Sequence, residues 1–131
     1  MNNPMSSESS QQEMTFTKVL HDMNSAGQFR ASFLVDTQGL PIASVTSDYD
    51  ADTASAMVAL VRNVIEQVQT RINLAEAVEV AIRGNDKMRL ISRYFTMGND
   101  TLILVVVAPP NRPYRKLTNQ VIKTLKAIGS T

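Results

Sequence analysis

No cysteine occurs in this 131-residue chain, and His21 is its one histidine. Without cysteine there is no disulfide framework, no thiolate zinc site and no thiol nucleophile; the composition is compatible with a reducing compartment. A single histidine provides no proton-relay pair, and any Ser-His-Asp set would have to use His21. Charge of one sign is lacking too. Thirteen Lys and Arg against twelve Asp and Glu leave a net charge of +1, which argues against a general nucleic-acid binder and against an acidic solvating tail. Long hydrophobic runs are missing: the longest, Leu102 to Ala108, falls far short of the ~20 residues that span a bilayer, so no membrane insertion is expected. The first thirteen residues, MNNPMSSESSQQE, have neither a basic start nor an apolar run of signal-peptide length. They read as a flexible tail (1–13), too poor in apolar surface to offset the entropy of ordering. A single domain (14–131) and a soluble, cytoplasmic protein are the expectations.

What is present is a periodic pattern. Phe16, Val19, Leu20 and Met23 recur at helical spacing, with Gly27 as the stop signal. RASFLVD then reads as a strand, DTQG as a turn and LPIASV as a second strand, with Pro41 placing that strand at a sheet edge. A long helix follows, capped by Asp50 or Asp52, with Met57, Val58, Val61, Val64, Ile65, Val68 and Ile72 in one stripe. AEAVEVAIR, MRLISRYFT and TLILVVVA are three further strands, joined by GNDK and MGND, whose Gly, Asn and Asp tolerate positive φ. The last strand is apolar on both faces and should be central and covered on both sides. A C-terminal helix buries Leu117, Val121, Leu125 and Ile128. The expected class is α+β, in the order α-β-β-α-β-β-β-α: a five-stranded antiparallel sheet with helices on both faces.

Sites for chemistry do not assemble. Asp36-Thr37-Gln38-Gly39 after an apolar strand shares its letters with a nucleotide-switch motif, yet none of the five glycines is followed by Lys, as a phosphate loop requires. Asp36 and Gly39 read instead as a type I turn, with Gly39 supplying the left-handed residue. Asp48, Asp50 and Asp52 alternate as an EF-hand loop begins, but Thr53 and Ala59 stand where that loop needs Gly and Glu; the acids suit a helix N-terminus. Glu76 and Glu79 lie at odd spacing on a strand and cannot form a carboxylate pair. Asn99 matches a glycosylation acceptor, which a hairpin turn explains equally well. No catalytic, cofactor-binding or metal-binding residue is therefore assigned, and the protein reads as a non-enzyme.

Two surface features remain. Ala56, Leu60, Asn63 and Gln67 form an uncharged facet of the long helix, beside the main stripe at ~100° per residue. It is either solvated surface or the contact face of a partner helix, since interface cores are depleted in charge. Arg112, Arg115, Lys116, Lys123 and Lys126 crowd the last element, largely without acidic neighbours. They form either a solvated face or a docking site for an acidic partner or anionic surface.

The order of elements, VDTQGLPIAS in the first hairpin (Asp36, Gly39, then Pro41-Ile42-Ala43), RINLAEAVEVAIRG after the long helix and the apolar last strand ending in APP together resemble the Roadblock family. The resemblance runs from about Thr15 to Pro110. That family includes dynein light chains, eukaryotic GTPase scaffolds and MglB-like prokaryotic regulators of Ras-like GTPases. It implies a profilin-like fold and a homodimer whose third strands pair edge to edge into one continuous sheet. It assigns Val78, Glu79, Val80 and Ala81 to that strand seam, and Ala56, Leu60, Asn63 and Gln67 to a helix seam. The implied partner is a Ras-like small GTPase, whose hydrolysis some members stimulate by rearranging the GTPase itself. Alternatives are a small-molecule sensor of PAS or GAF type, which needs a cavity with convergent polar groups, and a purely structural dimerisation tether.

Overall fold

The computed structural model describes residues 4–46, positions 56, 57, 59, 60, 62–64, 66 and 67, and residues 79–129, with side chains from residue 11 onward. Helix α1 spans Pro4–Gly27, followed by strands β1 (Ala31–Asp36) and β2 (Pro41–Thr46). The described positions between 56 and 67 are helical and form α2. Strands β3 (Glu79–Arg83), β4 (Arg89–Met97) and β5 (Asp100–Ala108) and helix α3 (Arg115–Gly129) complete the chain. The sheet order is β2-β1-β5-β4-β3, with every neighbouring pair antiparallel.

Strand β5 is central, as its apolar sequence requires: Leu102 through Ala108 are all buried. Its alternate residues feed two cores. Leu102, Leu104, Val106 and Ala108 meet Phe16, Leu20 and Met23 of α1 and Val121 and Leu125 of α3. Ile103, Val105 and Val107 join Ala31, Phe33 and Val35 on the opposite face, where Met57 of α2 packs. Each large apolar side chain so buried is worth roughly 1.5–3 kcal/mol. Because β2 and β3 are the outermost strands, the connection carrying α2 passes from one edge of the sheet to the other.

Helix α1 ends at Gly27, where the sequence reading placed its stop, but departs from that reading at its start. It starts at Pro4, so residues 4–13, expected as a tail, are helical. Pro suits the first helical position, and once the Phe16–Met23 turns are docked each added residue closes one more backbone bond without a new nucleus. At the other end the left-handed residue is Gln28 (φ 56), not Gly27. The Phe29 N–H reaches back to the Asn24 carbonyl at 3.0 Å, closing a Schellman cap. Gly27 matters for packing instead, because a Cβ there would lie 2.6 Å from the Phe29 ring and 2.8 Å from Leu117. It is the contact point that lets α1 approach α3.

The two four-residue turns share one geometry. In the first, Gly39 N–H donates to Asp36 C=O and Asp36 N–H to Leu40 C=O, both at 3.0 Å; Gly39 has φ 84. The Asp36 carboxylate accepts from the Gln38 and Leu40 amides at 2.9 Å each. This is the turn with a left-handed Gly39 read from the sequence, and Pro41 opens an edge strand as expected. A bulge between Leu34 and Val35 follows from the pairing of Leu34 with Ala43 but Val35 with Pro41. The β3–β4 turn repeats the pattern, with Lys87 N–H on Gly84 C=O and Gly84 N–H on Met88 C=O. Here the left-handed position is held by Lys87 (φ 70) rather than by a Gly, Asn or Asp. Gly98 and Asn99 form the β4–β5 turn, which accounts for the Asn99 tripeptide.

These turns yield opposite mutational outcomes. Asp36→Ala removes the one carboxylate oxygen that accepts from both amides and should lower unfolding stability by about 1–2 kcal/mol. Lys87→Gly relieves a left-handed L-residue and should raise it by about 0.5–1 kcal/mol. Urea titration of both variants measures the pair.

Candidate functional site

Among the described residues β3 has a strand neighbour on one side only, and its pleat sorts its five residues by face. Val80 and Ile82 lie opposite Ser92 and Leu90, on the face where Leu90 and Met57 pack. Glu79, Ala81 and Arg83 lie opposite Arg93, Ile91 and Arg89, on the α1/α3 face, where Ile91 is buried. Ala81, Ile82 and Arg83 are exposed and Val80 half-buried.

Helix α2 covers the same face as Val80 and Ile82. Ala56, Leu60, Asn63 and Gln67 are all exposed, so the uncharged facet lies outward as the helical wheel requires. Arg62 and Glu66 pair beside it at 3.6 Å, both over half exposed. Leu60 at 47% and Ile82 at 38% are, with Met14 and Leu40, the large exposed hydrophobics among the described residues. Val78, assigned with Glu79, Val80 and Ala81 to the strand seam, lies outside the described residues, as do Asp48, Asp50 and Asp52.

Glu79 does more than occupy an edge strand. Its side chain turns under α3, where Tyr114 Oη donates to Glu79 Oε2 at 3.0 Å. Arg93 Nε approaches Oε1 at 3.6 Å and Arg115 Nη2 approaches Oε2 at 3.5 Å. Arg93 also donates to Thr118 Oγ1 at 2.9 Å and to the Asn119 side-chain oxygen. Arg89 donates to the carbonyls of Pro109 and Arg112 and stacks 5.3 Å over the Tyr114 ring. The exposed edge strand is thereby tied to the start of α3 by a charged network that sequence reading missed. Its members come from β3, β4 and the approach to α3, so no local spacing announces them. Arg115, read as one of several cations largely without acidic neighbours, is paired to Glu79; Tyr114 and then Glu79 hold its guanidinium above the ordinary arginine range.

His21 is exposed, its Nδ1 3.7 Å from the equally exposed Asp22 carboxylate. Among the described residues no three His, Asp or Glu side chains cluster as metal ligands, and no helix is long and apolar enough to cross a membrane. Tyr94, on the α2 face of β4, has a buried hydroxyl without a partner among the described residues, and burial pushes its pKa up to about 12. An open cleft of about 560 Å³ beside the Asp36 turn, lined also by Gln38, Asn99 and Thr101, and a groove of about 1010 Å³ between Met14, Lys18 and His21 of α1 and Val45 of β2 lie at the surface.

The Glu79 network should be measurable in the isolated protein. Glu79→Ala leaves Tyr114 Oη and Arg93 Nε without their carboxylate and should cost about 1–3 kcal/mol in chemical denaturation. Glu79→Gln retains an acceptor for Tyr114 and should cost less.

Comparison with known proteins accords with this geometry. The Roadblock/LC7 domain profile matches residues 15–108. The gliding protein MglB of Thermus thermophilus is similar in structure at TM-score 0.73 and 17% identity, over 91% of each chain. Myxococcus xanthus MglB follows at TM-score 0.64 and 19% identity, over 87% of this chain and 90% of that one. A Roadblock/LC7 domain from Streptomyces avermitilis gives TM-score 0.62 and 17% identity, over 86% and 92%. No curated protein matches the sequence. At these identities the structural likeness speaks for the fold, while the profile spans most of the chain: it belongs to the Roadblock/LC7 family.

Proposed function

We propose that this chain is a homodimeric, non-enzymatic regulator or scaffold that binds a Ras-like small GTPase in the cytoplasm. The observation that carries the reading is the juxtaposition of β3, unpaired along its outer side among the described residues, with an exposed uncharged facet of α2 over the same face. An open edge bearing Val80 and Ile82 is an aggregation hazard unless something pairs with it. Pairing with a second copy would close that edge in both chains at once. It would also bring the two α2 facets, with Leu60 exposed on each, to one side of the joined sheet.

The family context supports the GTPase as partner, since MglB-like members regulate Ras-like GTPases. Such a regulator acts by holding or rearranging the GTPase's own residues, so it needs no nucleophile, base or metal of its own. The sensor alternative calls for a cavity between sheet and helices. That is at odds with the continuous packing of β5 against α1 and α3.

Two measurements test the reading. Light scattering should give twice the chain mass for the wild type, and Leu60→Arg or Val80→Arg should weaken association by at least about a hundredfold, since each buries two charges per dimer. Immobilised protein should capture a small GTPase from a lysate of its own source cell, in the GDP or the GTP-analogue state. A dimer that captures none in either state would support the tether instead, and an undiminished dimer in both variants would exclude this seam.

A further inference from the structure

The cations of the last element take no part in the function proposed above. Residues 1–100 hold eight Lys and Arg against twelve Asp and Glu, whereas residues 101–131 hold five Lys and Arg and no acid. Those five, Arg112, Arg115, Lys116, Lys123 and Lys126, lie on α3 or just before it. Such a charge asymmetry within one chain points to a charged partner. We infer that the outer face of α3 is a peripheral docking surface for an anionic phospholipid bilayer, held there by charge alone. This requires neither the homodimer nor the GTPase proposed above.

Helix stability does not call for cations in these places. α3 starts with Arg115 and Lys116 and has no acid in its first turn, although the macrodipole favours acids there. Lys123 and Lys126 are three residues apart, a spacing at which like charges weaken a helix, and α3 contains no acid to offset them. Lys126, in the last turn, is the one that suits the dipole. Among the described residues neither Lys116 nor Lys123 forms a salt bridge. Arg115 pairs with Glu79, yet its side chain stays 73% exposed.

The same cations share one face. At ~100° per residue, Lys116 and Lys123, with Lys126 at their side, project opposite to Thr118, Val121 and Leu125, the residues that α3 buries. All three lysines are exposed. The acids of the neighbouring helix do not reach this face: Glu13 and Asp22 of α1 line the groove against β2, whereas α3 lies over β4, three strands away. An acidic peptide would need a groove to seat it, and neither the cleft at the Asp36 turn nor the α1–β2 groove is lined by α3. Lysines are hydrated point charges on flexible stems and lack the fixed fork with which arginine grips a single carboxylate. Spread along a helix face, they suit a laterally uniform anionic surface, which attracts each of them within a Debye length. Because the apolar stripe of α3 is committed to the core, nothing is left to insert into the bilayer, and the attachment must be sensitive to salt.

Sedimentation with lipid vesicles tests this. The chain should pellet with phosphatidylcholine vesicles that carry phosphatidylserine and stay in solution with phosphatidylcholine alone. Raising the salt from ~0.1 M to ~1 M shortens the Debye length from ~10 Å to ~3 Å and should release it. Lys116→Gln combined with Lys123→Gln should weaken binding by about thirtyfold, ~fivefold for each lysine lost, with no loss in the urea midpoint. Lys18→Gln, in the groove beside β2, should bind as the wild type does. Equal pelleting with both kinds of vesicle, or with neither, would overturn the inference. So would a folded Lys116→Gln, Lys123→Gln protein that binds as tightly as the wild type, and equal weakening by Lys18→Gln would overturn the placement on α3. Retention by immobilised polyglutamate or duplex DNA without vesicle binding would overturn it in favour of that polyanion.

Discussion

Everything in this fold depends on a strand that cannot show either face to water. From Leu102 to Ala108, β5 offers no polar side chain, and every residue is buried. Such a strand must have a strand on each side to satisfy its backbone and a layer on each face to cover its side chains. β1 and β4 provide the first, and the helices provide the second. Once β5 takes the centre, β2 and β3 are left as the edges, and the chain between them must cross the sheet, bringing α2 over the face opposite α1 and α3.

The two edges that result are built differently. β2 begins with Pro41, pairs through a bulge and is tied to α1 by Asn24 Nδ2 donating to the Val45 carbonyl at 3.3 Å. Proline and bulges are recognised ways of blunting an edge against pairing. β3 has neither. It presents Ala81, Ile82 and Arg83 exposed, and its protection is one-sided: the Glu79 carboxylate holds it to Tyr114, Arg93 and Arg115. Arg93 carries the connection on to Thr118 and Asn119. Among the described residues, the unpaired edge is thus the one tied to the start of α3.

Much of this was legible from local pattern. Element order, the central position of the last strand, the edge position of the Pro41 strand and the Asp36–Gly39 turn all follow from periodicity and turn chemistry, which act over a few residues. The exposed facet of Ala56, Leu60, Asn63 and Gln67 follows from helical angle alone. The misreadings fall where local rules compete with tertiary ones. The polar stretch before Met14 has no reason to order by itself, yet it continues a helix whose nucleus is fixed by docking. Gly27 ends the helix as read, but its missing Cβ also makes room for Phe29 and Leu117, and it is Gln28 that takes the left-handed turn.

By itself, then, the sequence determined what most of the described segments are, strand or helix, buried or exposed, because those choices depend on spacing and side-chain size within one element; the stretch before Met14, read as a tail and found helical, is the exception. It also determined what the chain lacks, since a missing thiol or phosphate loop cannot be restored by folding. Only the tertiary structure decided which segments meet. Glu79 reads as one acid on an edge strand, and it becomes a junction because Tyr114 and Arg115, more than thirty residues on, fold back over it. Contacts of that separation depend on how α3 packs against β4, and helix packing is set by the shape of the whole core rather than by any short run of residues.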